Sequence, residues 1–253
     1  AFFDQMLTVY GRKPVLEALL DSDLPAFKLH LADSNRNEGI IEQIKRQAEI
    51  RNIPIAFHDR RDLSRISKNG KQDQGVALDL QLPAYRPCKD LLPLDTNTRL
   101  IALDRVTNPQ NLGMIIRSVS ASGITGLLLP KNGCASLSAL VIKASAGTLF
   151  KAPIYYCDHL EKGLRDLRDA GAAIYGLSSH ANESIFAMRR TEPAVYVLGN
   201  ETEGLSDALG RLCTAQLGIP MHNGVESLNV AVTAAIVAFA AQNPTAWQAA
   251  SDP

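Results

Sequence analysis

The sequence has no excess of charge of either sign, because 26 Lys and Arg residues balance 26 Asp and Glu residues. A zero net charge excludes a basic surface over the whole protein, so any surface that binds nucleic acid must be local. Cysteine is scarce, and its four positions form no Cys-x-x-Cys pair (Cys88, Cys134, Cys157 and Cys213). This spacing argues against a zinc ribbon or a disulfide framework and is typical of a reducing compartment.

Long hydrophobic runs and common cofactor motifs are also missing. The longest apolar run, from Val230 to Ala241, is shorter than the about 20 residues that span a bilayer, so we expect a buried helix there. The segment Ala1-Phe-Phe-Asp lacks the charge and apolar core of a secretory signal, so we expect a cytoplasmic protein. There is no GxGxxG fingerprint and no P-loop, which argues against Rossmann-type nucleotide binding. No histidine has metal-ligand spacing, so we expect no metal.

Hydrophobic patterning predicts an α/β protein of one large domain or two modest ones. Residues 83–97 are rich in proline and polar residues and are predicted to form a linker. Residues 1–82 alternate between helical and strand periodicity, which predicts a small α/β domain. In residues 98–253 the predicted strands are nearly all apolar, as in a parallel sheet buried on both faces. The predicted strands are 27–32, 53–57, 76–82, 99–104, 126–129, 173–177, 194–198 and 216–219, and the predicted helices before the linker are 12–20, 38–51 and 60–67.

Three of the apolar strands run directly into polar turns that contain glycine. These turns are Asn108–Ser118, Gly199–Leu205 and Met221–Asn229. Glu, Ser and Asn packed into four residues at the start of an apolar helix are more than a structural helix start needs. In α/β sheets, binding sites assemble outside the carboxyl ends of the strands. We therefore expect these three turns to build one site.

The three turns resemble the motifs of the SpoU (TrmH) family of RNA ribose 2′-O-methyltransferases, part of the SPOUT superfamily. The first motif, Asn-x-Gly-x-x-x-Arg, is matched by Asn111, Gly113 and Arg117. The second, Leu-Gly-x-Glu-x-x-Gly-Leu, is matched over Leu198–Leu205, and the third by Ile219–Met221 and Ser227–Val230. The resemblance implies S-adenosylmethionine as cofactor, a deep trefoil knot in the C-terminal domain and a homodimer formed through that domain.

The N-terminal part resembles the RNA substrate-binding domain of ribosomal-RNA members of this family, which has a ribosomal-protein-like fold. The matching residues are Val9–Arg12, Glu17–Leu19 and Gln74–Gly75. Family members often carry His where this chain has Asp73, so any role of that imidazole is absent. This domain favours large-subunit rRNA over tRNA as the substrate.

The resemblance also assigns roles to individual residues. Arg117 acts as the general base or stabilises the alkoxide, and the second role asks less of a guanidinium, which rarely gives up its proton. Asn111 and Ser227 are also plausible helix N-caps. Asn223 stands where the family often has Gly, which puts contacts of residues 222–224 with the cofactor in doubt, and Glu203 is expected to face solvent. The implied catalytic residues are Arg117, Asn111, Glu201, Ser227 and Asn229, and the implied cofactor-binding residues are Leu177, Ser178, Gly199, Ile219, Met221 and Leu228.

Basic residues cluster in the N-terminal part. Five lie between Arg60 and Lys71, against the single acid Asp62. With Arg12 and Lys13 they could form a patch that faces RNA, although a solvated helix face explains the same pattern. The candidate RNA-binding residues are Arg12, Lys13, Arg60, Arg61 and Arg65.

Three alternatives remain open from the sequence. The first is a tRNA ribose 2′-O-methyltransferase. The second is a catalytically silent RNA-binding protein that acts in ribosome assembly, although retention of the motif residues speaks against it. The third is a methyltransferase that modifies an antibiotic target in rRNA. The modified nucleotide is not readable from the chain.

Overall fold

The structure, a computed structural model, describes residues 6–82, 85–187 and 191–242. Residues 83–84 of the predicted linker and residues 243–253 of the predicted C-terminal domain lie outside the described residues. The chain divides into two compact units, one of residues 1–84 with 137–139 and one of residues 85–136 with 140–253. Within the described ranges, no helix is long and apolar enough to cross a membrane.

The first unit is a four-stranded mixed sheet with three helices. Its strand order is β1-β4-β2-β3; β4 pairs antiparallel with both β1 and β2, and β2 pairs parallel with β3. The elements in chain order are β1 (Met6–Tyr10), α1 (Arg12–Leu20), β2 (Ala26–Ala32), α2 (Ile40–Ile50), β3 (Ile55–His58), α3 (Arg60–Ser67) and β4 (Val76–Gln81).

The helices of the first unit form where apolar residues recur at helical spacing. Helix α1 buries Val15, Ala18 and Leu19, while α2 buries one face that includes Ile41 and Ile44. Residues three or four positions apart lie on one face of a helix, so each helix buries a single apolar stripe, and α1 packs against both α2 and β4. Helix α3 begins at Asp59, whose carboxylate accepts the backbone N–H of Asp62 at 2.8 Å.

The second unit contains an eight-stranded sheet in which every neighbouring pair is parallel. Its strand order is β10-β12-β9-β11-β6-β7-β8-β5. The strands are β5 (Arg86–Pro87), β6 (Arg99–Leu103), β7 (Gly126–Pro130), β8 (Ile154–Cys157), β9 (Ala173–Leu177), β10 (Glu183–Ser184), β11 (Ala194–Leu198) and β12 (Ala215–Gly218). The helices are α4 (Pro109–Ser122), α5 (Ala139–Ala144), α6 (Leu160–Asp169), α7 (Asp207–Gly210) and α8 (Val230–Ala240).

The central strands of this sheet explain where the site lies. Strands β6 and β11 are buried at every residue, as expected for a parallel sheet covered on both faces. Strands β12, β9, β11 and β6 are consecutive neighbours, so their carboxyl ends lie side by side at one edge of the sheet. The α/β architecture with a parallel sheet is therefore confirmed. The trefoil knot stays a prediction.

Four strands were not predicted from the sequence, namely β1, β5, β8 and β10. Strands β5 and β10 have only two residues each and lie at the two edges of the large sheet, so no periodicity could reveal them. Strands β1 and β8 are short apolar runs, whose type is ambiguous from sequence. Residues 86–91 of the predicted linker form β5 and a short 3-10 turn, Cys88–Leu91.

Candidate active site

A cavity of about 690 Å³ opens at the carboxyl ends of the parallel strands. Three loops line it: the one after β9, the one after β11, and the one between β12 and α8. All six residues expected to bind the cofactor lie in its wall: Leu177, Ser178, Gly199, Ile219, Met221 and Leu228. The cavity thus joins segments that are up to about fifty positions apart in the chain.

Three of the candidate catalytic residues form a hydrogen-bonded chain beside the cavity. Asn229 Nδ2 donates to Asn111 Oδ1 at 3.2 Å, and Asn111 Nδ2 donates to the carboxylate of Glu201. Asn111 is 4% exposed, so its amide is held between its two partners. These three hydrogen-bonded side chains connect the starts of α4 and α8 to the loop after β11.

The hydrogen bonds at the start of α8 determine which atoms of Asn229 donate and accept in this series of hydrogen bonds. The side-chain oxygen of Asn229 accepts the backbone N–H groups of Ala231 at 2.8 Å and Val232 at 3.4 Å. Asn229 is therefore the N-cap of α8, and Ser227, which was also a plausible cap by residue type, is not. Because its oxygen is used in capping, the Asn229 amide group is left to donate to Asn111. Ser227 instead lines the cavity.

The N-cap of α4 is likewise a different residue from the plausible cap Asn111. Asn108, not Asn111, is the N-cap, and its Oδ1 accepts Gln110 N at 2.8 Å and Asn111 N at 3.4 Å. Pro109 follows at the first helical position, where its missing N–H costs nothing. This frees the Asn111 side chain for Glu201 and Asn229. A Cβ on Gly113 would lie 2.5 Å from Cβ of Ala144, so glycine permits the close approach of α4 to α5.

Residues Gly199–Ser206 form a tight turn that we call the β11 loop. Asn200 and Gly204 exchange two backbone hydrogen bonds of 3.0 and 2.9 Å, which close the turn. A Cβ on Gly199 would lie 2.2 Å from the carbonyl carbon of Gly204, so only glycine fits there. Gly204 has a φ of +69°, a conformation that favours glycine. The loop carries Glu201 on the same turn that shapes the cavity wall.

Two residues after β6, which the sequence reasoning missed, hold the β11 loop. Asp104 Oδ2 accepts the backbone N–H of Ser206 at 2.9 Å. The Arg105 guanidinium pairs with Glu203 and donates to the carbonyl of Gly204 at 3.1 Å. Asp104, with Glu203, raises the pKa of Arg105 above its usual value. Glu203 is exposed as expected, with 66% of its side chain accessible, but it is engaged in this ion pair.

Arg117 follows Asn111 by six positions on α4. It is exposed on α4 and is not among the residues that line the cavity. The same helix exposes Met114, and α8, which packs against α4, exposes Val232 and Phe239. We call these exposed residues of the two packed helices the α4/α8 face (Met114, Arg117, Val232 and Phe239).

The charges around the cavity are mostly negative. Four carboxylates line it (Glu201, Glu203, Asp207 and Glu226), and Arg211 is the single Lys or Arg in the described lining. Such a lining attracts a cationic ligand over an anionic one.

The four cysteines are poor nucleophiles. Burial raises the pKa of Cys157 to about 12, and burial likewise raises the pKa values of Cys88, Cys134 and Cys213. None of these thiols is a ready thiolate nucleophile at neutral pH.

In the first unit, the five candidate RNA-binding residues are all exposed: Arg12, Lys13, Arg60, Arg61 and Arg65. Arg12 donates to the Gln74 carbonyl and Asn35, both at 3.4 Å, and Arg65 pairs with Asp62 at 2.9 Å. Asp73 is buried and accepts hydrogen bonds from Ser67 Oγ and Gly75 N, so it orders the turn before β4.

Across the described ranges, no group of His, Cys, Asp and Glu is arranged to hold a metal ion.

Comparison with known families shows to which family the chain belongs. Residues 98–239 match the profile of the SpoU rRNA Methylase family, and residues 8–86 match that of RNA 2′-O ribose methyltransferase substrate binding. The chain belongs to the SpoU family. The family resemblance drawn from the three turns is therefore confirmed.

Relatives and solved structures support this assignment. A protein of Mycobacterium ulcerans that is named an uncharacterized tRNA/rRNA methyltransferase is 36% identical over 92% of this chain and 76% of the relative. An AdoMet-bound rRNA methyltransferase from Sinorhizobium meliloti is 26% identical, with a TM-score of 0.65 over 94% of this chain and 87% of that chain. The SpoU methyltransferase AviRb from Streptomyces viridochromogenes, also in complex with AdoMet, shares the fold at 24% identity, with a TM-score of 0.68 over 99% and 93% of the two chains.

Proposed function

We propose that this protein transfers a methyl group from S-adenosylmethionine to a ribose 2′-hydroxyl of large-subunit rRNA. The observation that carries the proposal is the chain from Asn229 through Asn111 to Glu201, which lies beside a cavity of cofactor size. Membership of an RNA methyltransferase family supports the reaction class, and the substrate-binding profile over residues 8–86 supports an RNA substrate.

The cavity suits this cofactor in shape and charge. Ile219, Met221 and Leu228 offer an apolar wall for an adenine ring, and the β11 loop offers backbone groups. The four carboxylates of the lining favour a ligand that carries the positive sulfonium. When bound, S-adenosylmethionine supplies an electrophilic methyl group.

The residues of the chain have to activate a poor nucleophile and align it. A neutral hydroxyl must lose its proton or have its developing negative charge stabilised. A guanidinium is a poor general base, because it rarely gives up its proton. We therefore assign Arg117 to alkoxide stabilisation and to binding of the substrate phosphate. Ser227, Asn229 and Glu201 orient the reacting groups.

A homodimer explains why Arg117 is exposed. The α4/α8 face has exposed fractions of 42% at Met114, 48% at Val232 and 42% at Phe239. We propose that two copies pair through this face, which would bury these apolar side chains and enclose Arg117 in the interface. Val232→Glu should give a monomer in light scattering, whereas Phe57→Glu, at a 57% exposed site of the first unit, should not. A monomeric wild-type protein at every concentration would overturn the dimer.

The dimer also makes a kinetic prediction that a monomer does not share. If Arg117 serves the cavity of the partner, a mixture of Arg117→Ala with a cavity variant such as Gly199→Ala should recover activity. One site of each mixed dimer would then combine the intact cavity of the Arg117→Ala subunit with the intact Arg117 of the Gly199→Ala subunit. Activity that is never recovered on mixing would place Arg117 at the site of its own chain.

We propose that the exposed cations of the first unit bind the RNA backbone. Reversal of Arg61 and Arg65 to Glu should weaken RNA binding at low salt and flatten its salt dependence. Reversal of Arg165 and Arg168, on α6 of the second unit, is the matched control. If the two double variants bind RNA with equal affinity, the basic cluster of the first unit is only a solvated helix face and does not bind RNA.

The deciding assay is transfer of labelled methyl to unmodified large-subunit rRNA and to tRNA, with mapping of the modified ribose. Label at one rRNA nucleotide is the expected result. Label in tRNA would keep the chemistry and replace the substrate, which the tRNA/rRNA name of the M. ulcerans relative leaves open. RNA binding without any label, also on immature ribosomal particles, would favour the silent ribosome-assembly protein.

A further inference from the structure

The β11 loop is attached to the end of β6 along its whole length. Near its start, Asn200 Nδ2 donates to the Arg105 carbonyl at 3.1 Å. In its middle, Glu203 and the Gly204 carbonyl both contact the Arg105 guanidinium. At its end, Ser206 N donates to Asp104 at 2.9 Å. Two consecutive residues therefore hold a loop that begins 95 positions later in the sequence.

Arg105 has a backbone conformation that its residue type disfavours. Its φ is +56°, in the left-handed region where a Cβ meets the backbone. This conformation lets one residue present its carbonyl to Asn200 and its side chain to Glu203 and Gly204. Sites that retain such a conformation are often functional, because the surrounding contacts must maintain it.

We propose that Arg105 is a positioning residue for the transfer reaction: its guanidinium latches the β11 loop in the shape that binds the cofactor and holds Glu201 against Asn111. This inference rests on the proposed function. Glu201 lies between Asn200 and Glu203, so the two Arg105 contacts enclose the turn that carries it. A looser loop would change the cavity wall and the hydrogen-bonded chain together.

The latch is reversible because it lies at the surface. The side chains of Arg105 and Glu203 are 35% and 66% exposed, so salt screens their attraction. Two other contacts do not involve the guanidinium, namely the Asn200–Gly204 bridge and the Asn200 bond to the Arg105 carbonyl. Asp104, which accepts from Ser206, also pairs with the guanidinium at 3.4 Å. Removal of the guanidinium should leave a folded protein with a loosened loop.

The test is calorimetric titration of S-adenosylmethionine into the full chain at low and high salt. Arg105→Gly removes the guanidinium and accepts the positive φ without strain. We expect its dissociation constant to rise about fivefold, the upper range for an exposed ion pair. The melting temperature should be preserved, and the salt dependence of binding should shrink. Arg105→Lys should recover part of the affinity, since it keeps the charge but not the forked contact.

Two further variants separate the latch from a general charge effect. Glu203→Gln should weaken binding, and combining it with Arg105→Gly should cost no more than Arg105→Gly alone, because both remove the same pair. Arg165→Ala breaks a pair with Glu161 at 2.6 Å that is similarly exposed and lies outside the cavity lining, so it should leave affinity unchanged.

The outcomes are distinguishable. Wild-type affinity and salt dependence in Arg105→Gly, in a protein that binds the cofactor, would overturn the latch alone. Additive losses in the double variant would overturn the pairing of Arg105 with Glu203. A wild-type protein that neither binds S-adenosylmethionine nor transfers methyl would overturn the proposed function and the latch with it.

Discussion

Gly199→Ala is the substitution for which the geometry makes the sharpest prediction. The added Cβ would lie 2.2 Å from the Gly204 carbonyl carbon, 2.3 Å from its oxygen and 2.4 Å from Leu205 N. All three are backbone atoms, so no side-chain rotation relieves the overlap. The β11 loop must move by roughly 1 Å or more to reach ordinary contact distances of about 3.5 Å.

The magnitude follows from what this movement breaks. The two backbone hydrogen bonds between Asn200 and Gly204 would be lost, at about 1 kcal/mol each. A loss of about 2 kcal/mol corresponds to a fall of about 4–8 °C in the melting temperature of a chain this size. Displacement of the cavity wall should also raise the dissociation constant for S-adenosylmethionine about tenfold or more, as expected for overpacking.

The assay combines thermal unfolding with calorimetric titration of the cofactor. Gly210→Ala is the matched control for stability, because its added Cβ meets no atom within 4 Å although Gly210 lies in the same cavity wall. It should change the free energy of unfolding by less than about 0.5 kcal/mol. A Gly199→Ala protein with wild-type melting temperature and affinity would refute the claim that this turn tolerates only glycine.

Further predictions concern the reaction and the stability of each unit. Arg117→Ala should abolish methyl transfer while calorimetry still detects cofactor binding, and near-normal turnover would remove Arg117 from the mechanism. Asn229→Ala should lower stability by about 1 kcal/mol through loss of the α8 cap and also reduce turnover, whereas Asn229→Ser, which keeps a cap, should recover stability without turnover. Burial raises the pKa of Asp79, but hydrogen bonds from His30 at 3.0 Å and Thr8 at 2.7 Å outweigh it and lower that pKa. This stabilisation is present above the unfolded pKa of about 3.9 and is lost as pH falls through the lower folded value; Asp79→Asn should remove that acid dependence in thermal melts.

The architecture could be predicted because the pattern of apolar residues in the sequence indicates which residues are buried. The nearly all-apolar strands β6, β9 and β11 predicted a parallel sheet, and the polar residues at their ends predicted the edge at which a site would assemble. Strands β5 and β10, of two residues each, have no such pattern. They exist because a neighbouring strand offers them a partner, which is a property of the folded sheet.

The hydrogen-bonding roles within the site were less predictable. Asn111 and Asn108 are equally good caps by residue type, although Pro109 was a signal that favoured Asn108. Ser227 and Asn229 could each cap α8, and nothing in the local sequence separates them. Arg105 was missed because no residue pattern in the sequence indicates an arginine with a positive φ.

The sequence by itself determined the class of fold, the three polar turns and the residue types that make them a methyltransferase-like site. The tertiary structure decided which of those residues touch: Asn111 meets Glu201, 90 positions away, and Asn229, 118 positions away, while Arg117 on the same helix lies exposed. The physical reason is that periodicity encodes which face of an element is buried. Which elements become neighbours depends on the order of strands in the sheet, and only the folded chain sets that order.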